Sequence, residues 1–262
     1  MVKEGGNKKR GQVTIFVIVG IVIVAMAILI YIFYPKISSS LGFADETPSA
    51  YIQNCIQDKV SETVQSLSLR GGELNPENYF LYKDTKIKYL CYTNEYFLTC
   101  VMQEPMLKSS FEKEVSKEIK VNVESCMNNM KDNFRKRGYV VEGGGNSFEV
   151  EFLPERIVVR FNDSLTLTKG EDIKKYDSTQ VSVTNNVYDL VAIANSILNW
   201  EATYGDSETT EYMNYYHNLK VEKYKQSEGT TIYILTNRDT GEKFQFASRS
   251  IAWPPGYGGI TA

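Results

Sequence analysis

An uninterrupted apolar stretch from Val13 to Tyr34 constrains this chain more than any other part of its sequence. About fifteen of its roughly twenty-two residues are Ile, Val, Leu or Phe, and its tyrosines are its only ionisable side chains. As a helix rising ~1.5 Å per residue, the stretch measures about 33 Å, which is enough to cross a hydrocarbon core of ~30 Å. Each of those apolar side chains favours insertion by roughly 0.3–0.6 kcal/mol. The sequence therefore predicts a transmembrane helix at 13–34.

The charges on either side of this helix predict its orientation. Residues 1–12 include four Lys or Arg residues and a single Glu, and flanks rich in Lys and Arg stay in the cytoplasm. We therefore expect a cytoplasmic basic leader at 1–12, a linker at 35–48, and a C-terminal domain outside the cell. A cleaved secretory signal peptide would be shorter and would end in a small-residue site, which this sequence lacks. The expected localisation is the cell membrane, as a single-pass protein in contact with the lipid bilayer.

The residues around Gly11 carry a resemblance to a known family. The segment Lys8-Lys9-Arg10-Gly11-Gln12-Val13-Thr14-Ile15-Phe16 resembles the class III signal peptide of archaeal type IV pilins and related surface proteins. The resemblance implies that a prepilin-type peptidase cleaves between Gly11 and Gln12, and that the apolar helix stays on the mature protein. Many pilins have Glu at the fifth mature position, where it pairs with a neighbouring subunit, whereas this chain has Phe16 there. An uncleaved anchor oriented by the same basic residues is the alternative.

Composition limits what the rest of the chain can do. The net charge is −3 for the whole chain, and because the leader is basic, the remainder is more acidic than that. A mildly acidic domain argues against nucleic-acid binding, which requires a basic surface. The 18 tyrosines are typical of extracytoplasmic binding surfaces, although they also suit ordinary sheet faces.

The four cysteines all follow the apolar helix. An even number of cysteines in an oxidising compartment predicts two disulfides, for which three pairings exist. Cys55 and Cys126 each lie on the apolar face of a predicted helix, and Cys91 and Cys100 flank a predicted hairpin turn. We therefore expect Cys55–Cys126 and Cys91–Cys100. A zinc site made of all four thiolates is the alternative, but the paired spacing typical of such sites is absent.

Hydrophobic periodicity predicts an extracytoplasmic α+β domain at 49–252, with a possible sub-boundary near 138–146. Apolar residues at three- and four-residue steps predict helices, and on one of them the apolar positions include Trp200. Alternating apolar residues and turn residues predict strands, and three of these form one β-meander. The predicted helices are Ser49–Leu69, Leu107–Arg137, Val187–Tyr204 and Glu211–Lys220. The predicted strands are Tyr79–Tyr92, Tyr96–Met102, the meander Phe148–Leu153, Ile157–Phe161 and Leu165–Thr168, and the hairpin Thr230–Thr236 with Lys243–Ile251.

These elements together predict helices packed on an antiparallel sheet and stabilised by disulfides. The last residues, 253–262, are punctuated by proline and glycine and are expected to form a flexible tail. Asn162, in the sequence Asn-Asp-Ser on a predicted surface turn, is a candidate glycosylation site.

The sequence offers no catalytic constellation. Asp239-Thr240-Gly241 matches the aspartic-protease tripeptide, but it occurs once and between charged neighbours. Ser110 and Lys113 have the S-x-x-K spacing of penicillin-binding enzymes without the partner motifs. His217 is the only histidine, and no motif supplies a nucleophile for it. We therefore expect neither enzymatic activity nor a cofactor or metal site.

The cysteine-bearing helices, the meander and the late hairpin together resemble archaeal single-pass surface proteins, a likeness that brings no known chemistry. The predicted function is that of a membrane-anchored, pilin-like surface protein with a structural, adhesive or recognition role. Its expected partners are the bilayer, a prepilin-type peptidase, and copies of itself or other envelope proteins. The alternatives are an anchored extracytoplasmic enzyme with a carboxylate site that no motif shows, and an accessory subunit of a membrane complex.

Overall fold

The computed structural model describes residues 17–26 and 47–252, which belong to two compact units, Met1–Thr47 and Pro48–Ala262. In the first unit, residues 17–26 form a helix whose large apolar side chains are exposed. Among the described residues, no helix combines the length and the apolar character that crossing a bilayer requires. The remainder of the predicted span at 13–34 lies outside the described residues, as do Gly11, Gln12, nearly all of the predicted linker and the predicted tail.

The described part of the second unit contains four helices. They are α1 (Pro48–Ser68), α2 (Leu107–Lys136), α3 (Val187–Tyr204) and α4 (Thr210–Tyr215). The apolar stripe of α2, from Leu107 to Phe134, is buried throughout, and α2 packs against α1. The bounds of the first three helices agree closely with the predicted ones. The predicted extension of the fourth to Lys220 is wrong, because residues from Leu219 onward pair as a strand.

The same part of the chain contains twelve strands. In chain order they are β1 (Tyr79–Tyr82), β2 (Thr85–Tyr92), β3 (Val101–Met102), β4 (Val140–Gly143), β5 (Phe148–Leu153), β6 (Arg156–Phe161), β7 (Leu165–Lys169), β8 (Asp172–Tyr176), β9 (Thr179–Thr184), β10 (Leu219–Lys225), β11 (Thr230–Asn237) and β12 (Lys243–Arg249). They form one large sheet and two small ones, so the prediction of an α+β fold of helices and sheets is confirmed.

The large sheet has the order β1–β2–β12–β11–β10, and β3 also pairs with β2. Its pairs are antiparallel except for β2 and β12, which run parallel. Strand β11 is buried on both faces: Tyr233 and Leu235 belong to the main core, whereas Ile232 and Ile234 belong to a second apolar cluster. Because successive side chains point to opposite faces of a strand, this sheet forms the central layer. Helix α3 lies against β11 and β12.

The two small sheets correct the predicted meander. Strands β5 and β6 pair as expected, but β7 joins β4 and β8 in one sheet, while β9 takes the place beside β6 in the other. The carbonyl of Ser164 accepts the Gly144 N–H at 2.8 Å, which begins the pairing of β7 with β4. This pairing across a long sequence separation is invisible to local periodicity.

Two other strand predictions are wrong in part. The run Tyr79–Tyr92 is a hairpin, because Lys83 and Asp84 adopt positive φ angles of 46° and 63° and close a turn between β1 and β2. In the run Tyr96–Met102, strand pairing is confined to β3, and Phe97 has a φ of 67° that no strand accommodates.

The two disulfides join the pairs expected from the sequence. Cys55 on α1 is bonded to Cys126 on α2, with their Cα atoms 6.1 Å apart, and Cys91 on β2 is bonded to Cys100 just before β3, at 5.4 Å. Cys126 is buried in the helix interface, whereas Cys55 is exposed at its edge. The first bond thus closes a long loop between two packed helices, and the second closes a short one.

This difference in loop length predicts unequal contributions to stability. On the loop-entropy estimate, the bond across 71 residues contributes about 4 kcal/mol and the bond across 9 residues about 2.5 kcal/mol. Replacing Cys55 and Cys126 by Ala should therefore lower the free energy of unfolding more than replacing Cys91 and Cys100. Guanidinium unfolding of the full chain in detergent micelles measures both losses. A larger loss from the Cys91 and Cys100 variant would contradict the estimate.

Candidate functional site

A large cleft in the second unit lies between α3 and α4. Its volume is about 610 Å³, within the range of small-molecule sites. Helix α3 contributes two of its residues, the segment after it contributes one, and α4 with the residue that follows it contributes the others. The lining residues are Ser196, Trp200, Glu208, Glu211, Tyr212, Asn214, Tyr215 and Tyr216.

The local sequence folds α4 back beside α3. Gly205 ends α3 with a φ of 81°, and a Cβ at this position would lie 2.2 Å from the Cβ of Ala252, so only glycine fits. Contacts with β10 hold the next residues in place. The Lys223 ammonium forms an ion pair with Asp206 and donates a hydrogen bond to the Ser207 carbonyl at 2.7 Å. Lys225 pairs with the same carboxylate at 3.0 Å. These contacts hold the segment that leads from α3 to Glu208 and α4.

Four of the eight lining residues are aromatic, and of these Trp200, Tyr215 and Tyr216 are exposed whereas Tyr212 is half-buried. Trp200 is 48 % exposed and Tyr215 is 79 % exposed. The Tyr215 and Tyr216 rings meet edge to face with centroids 4.9 Å apart, and Trp200 packs on Tyr204 at the same distance. The exposure of Trp200 corrects its assignment to the apolar face of the helix. Exposed rings gathered in one concave place are typical of binding sites rather than of cores.

Two carboxylates, Glu208 and Glu211, give the cleft its charge. Among the described lining residues, none carries a positive charge. Hydrogen bonds from Thr210, first from its side chain and then from its backbone N–H at 2.8 Å, hold the pKa of Glu208 below its usual value. Glu208 therefore stays ionised at neutral pH, and the cleft presents negative charge beside aromatic faces.

A buried carboxyl group fixes the helix that carries Trp200. Glu201 is 1 % exposed, the hydroxyl of Tyr233 donates to its Oε1, and the hydroxyl of Ser248 donates to its Oε2 at 2.9 Å. The hydroxyl of Ser250 also donates to the Glu201 carbonyl at 3.3 Å. These bonds join α3 to β11, β12 and the segment beyond β12. Successive helical side chains point about 100° apart, so anchoring Glu201 turns its neighbour Trp200 toward the cleft.

Burial raises the pKa of the Glu201 carboxyl, and the hydrogen bonds from Tyr233 and Ser248 oppose that shift. Burial likewise raises the pKa of Tyr233, so its hydroxyl keeps the proton that it donates. Glu201 does not line the cleft. Its enclosed position suits it to hold α3 in place and gives a substrate no access to it.

A smaller cleft of about 240 Å³ adjoins the first. Tyr216 lines both, and the residues on its other side include Asp189, Asn218 and Asn237. Burial raises the pKa of Asp189, and the nearby charge of Glu155 adds to the shift. The two clefts together follow α3 over most of its length.

The structure places the sequence-predicted candidates away from one another. Asn162 is exposed in the turn between β6 and β7, as a glycan acceptor requires, and Asp239 is exposed in the turn between β11 and β12. The Ser110 hydroxyl donates to Glu104 at 2.8 Å, and Glu104 in turn pairs with Lys88. His217 is exposed and follows Tyr216. In the ranges 17–26 and 47–252, no group of three or more His, Cys, Asp or Glu side chains is placed to hold a metal ion.

Sequence reasoning missed the residues of the aromatic cleft. The available signal was local: Tyr212, Tyr215 and Tyr216 lie within five positions of one another, among polar neighbours. The sequence is rich in tyrosine, but no motif indicates which tyrosines lie together.

Comparisons with known proteins supply no analogue for this arrangement. No protein-family model, curated protein or solved structure matches the chain.

The raised pKa of Glu201 predicts a pH dependence of stability. The folded protein retains this proton to higher pH than the unfolded chain does, so the carboxyl progressively destabilises the fold as pH rises above its ordinary value of 4.5. Glu201→Gln cannot titrate. The free energy of unfolding of the wild type should therefore fall relative to that of the variant, by about 1.4 kcal/mol per pH unit, until the folded pKa is passed. Urea unfolding at a series of pH values measures the free energy of unfolding of both proteins. If it changes with pH by the same amount in the wild type and in Glu201→Gln, this account is contradicted.

Proposed function

We propose that this protein is a membrane-anchored recognition protein outside the cell, and that it binds a small ligand or a small group of a larger partner in the cleft between α3 and α4. The observation that carries the proposal is the cleft itself, where four aromatic side chains and two carboxylates converge in about 610 Å³. A structural role alone gives no reason to leave three large rings, those of Trp200, Tyr215 and Tyr216, exposed in one concavity. Ligand binding gives one, because a ligand covers their apolar faces.

The rigidity of the surroundings supports a binding role. The anchored carboxyl of Glu201 fixes α3, and the ion pairs of Asp206 fix the segment that leads to α4. The Tyr212 hydroxyl bonds to the Ser196 hydroxyl at 2.7 Å and joins the two helices across the cleft. A site that is already ordered loses little conformational entropy on binding, which favours affinity.

The anchor forms the second part of the proposal. The apolar composition of 13–34 supports a transmembrane helix, and the described residues 17–26 within it are helical with exposed apolar side chains. Two disulfides support an oxidising location for the domain. The resemblance of residues 8–16 to the archaeal class III signal peptide supports processing by a prepilin-type peptidase. In this proposal the protein acts without catalysis and binds no nucleic acid.

The binding role predicts that the cleft responds to a soluble probe. With Trp253→Phe, Trp200 becomes the only tryptophan, and its fluorescence reports on the cleft. The full chain in maltoside micelles is titrated with methyl glucoside, N-acetylglucosamine, arginine and choline. We expect at least one probe to shift the emission along a saturable curve. Tyr215→Ser should weaken that binding by about tenfold, because one stacked ring contributes on the order of 1–2 kcal/mol.

Tyr96→Ser is the matched control, because Tyr96 is 70 % exposed and does not line the cleft. It should leave the dissociation constant unchanged. If none of the four probes shifts the emission, or if Tyr96→Ser and Tyr215→Ser weaken binding equally, the cleft is not the site and the proposed function fails.

The pilin-like leader predicts the mature N-terminus. Mass spectrometry of the membrane fraction of the native cell should find a chain that begins at Gln12, because the resemblance places the cleavage after Gly11. The protein should also stay with the membranes after alkaline carbonate extraction, which removes proteins held only by charge. A chain that still carries residues 1–11 would make the basic segment an uncleaved flank of the anchor.

A further inference from the structure

We propose that the ligand of this cleft is an organic cation, a methylated alkylammonium group such as the trimethylammonium end of choline. The inference rests on the proposed function, since it presumes that the cleft is a binding site, and it names the chemical class that the site accepts.

The charge of the cleft favours a cation. Glu208 and Glu211 line it, and neither forms an ion pair with another described residue. After the hydrogen bonds from Thr210, the charge of Lys223 also lowers the pKa of Glu208, but the Lys223 ammonium itself pairs with Asp206 and donates to the Ser207 carbonyl. Neither lining carboxylate is therefore bonded to a cation, so a cationic ligand would be drawn to them while an anionic one would be repelled.

The rings of the cleft favour a methylated cation over a bare ammonium. Trp200, Tyr212, Tyr215 and Tyr216 line the cleft, and the faces of aromatic rings carry a negative quadrupole that attracts cations within about 6 Å. A trimethylammonium group has no N–H to donate, and its weakly hydrated methyl groups gain most from such faces. A primary ammonium leaves water reluctantly, because its three donors are well hydrated.

Charge, rather than hydrogen bonding, separates a cation from a neutral sugar in this cleft. The two carboxylates and the hydroxyls of Tyr215 and Tyr216 can accept hydrogen bonds from a sugar. A neutral ligand leaves both negative charges unpaired, whereas a cation pairs with them. The volume of about 610 Å³ exceeds one trimethylammonium group and leaves room for the chain attached to it.

The decisive experiment compares choline with its neutral tert-butyl analogue, in which carbon replaces the charged nitrogen and the shape is retained. Both are titrated into the full-length Trp253→Phe chain in maltoside micelles, with Trp200 fluorescence as the readout. We expect choline to bind at least about tenfold more tightly than the tert-butyl analogue and more tightly than ethanolammonium. Equal binding of choline and the analogue, or tighter binding of ethanolammonium, would overturn the inference.

The double variant Glu208→Gln with Glu211→Gln tests the source of the preference. It should weaken choline binding by about tenfold and leave binding of the tert-butyl analogue unchanged, because the amides keep the shape and remove the charge. Glu228→Gln removes an exposed carboxylate that does not line the cleft, and it should change neither affinity. An equal loss in both variants would mean that the general charge of the protein attracts the cation, and would overturn the inference.

Glycerophosphocholine distinguishes the two natural sources of this group. Binding as tight as that of choline would point to a lipid headgroup, whereas weaker binding would point to a free cation, because the phosphate is repelled by the two carboxylates. A saturable response to methyl glucoside without any response to choline would overturn the inference that the ligand is a cation. The proposal that the cleft is a binding site would still stand. No response to any probe would remove the proposed function as well.

Discussion

The buried carboxyl group of Glu201 holds α3 in the orientation that places Trp200 in the cleft. A charge or a polar group enclosed by apolar side chains must find partners within the protein. Tyr233 and Ser248 provide those partners from adjacent strands, so α3 can take one position on the large sheet. That position decides which of its side chains face outward. The exposure of Trp200 therefore follows from an interaction made by the next residue, whose side chain points about 100° away around the helix.

The helices were predictable because each buries one continuous face. The stripe of α2 repeats at three- and four-residue steps over the whole element, and local spacing is enough to identify it. The small sheets were less accessible, since the choice of β4 rather than β6 as the neighbour of β7 depends on contacts distant in sequence. Strand β8 carries Lys174, Lys175 and no buried residue, so it has no apolar alternation to detect. The disulfide pairs followed once the helices and the turn were assigned.

The candidate site lay beyond what the sequence alone discloses. Helical periodicity groups Trp200 with the apolar residues Ile197 and Leu198. Those two are buried, whereas Trp200 lies at the border of the buried face of α3 and is exposed. Which border residue becomes exposed depends on the anchor at Glu201 and on where α4 ends. The partners of Glu201 come from strands more than thirty positions away. Sequence patterns do not predict contacts between residues so far apart in the chain. Likewise, the tyrosines of α4 form a cleft only because the fold places them beside α3.

The parallel pairing of β2 with β12 bears on how the polypeptide reaches its native state. Tyr89 of β2 pairs with Ala247 of β12, so β2 can take its place in the large sheet only after β12 has been synthesised. Such distant pairing slows folding, because a long loop must close before the contact stabilises anything. Until then, apolar residues such as Ile87 stay uncovered and invite aggregation. A chain that ended before β12 would lack Ala247 and would leave the other members of this cluster, such as Ile87 and Ile232, partly uncovered.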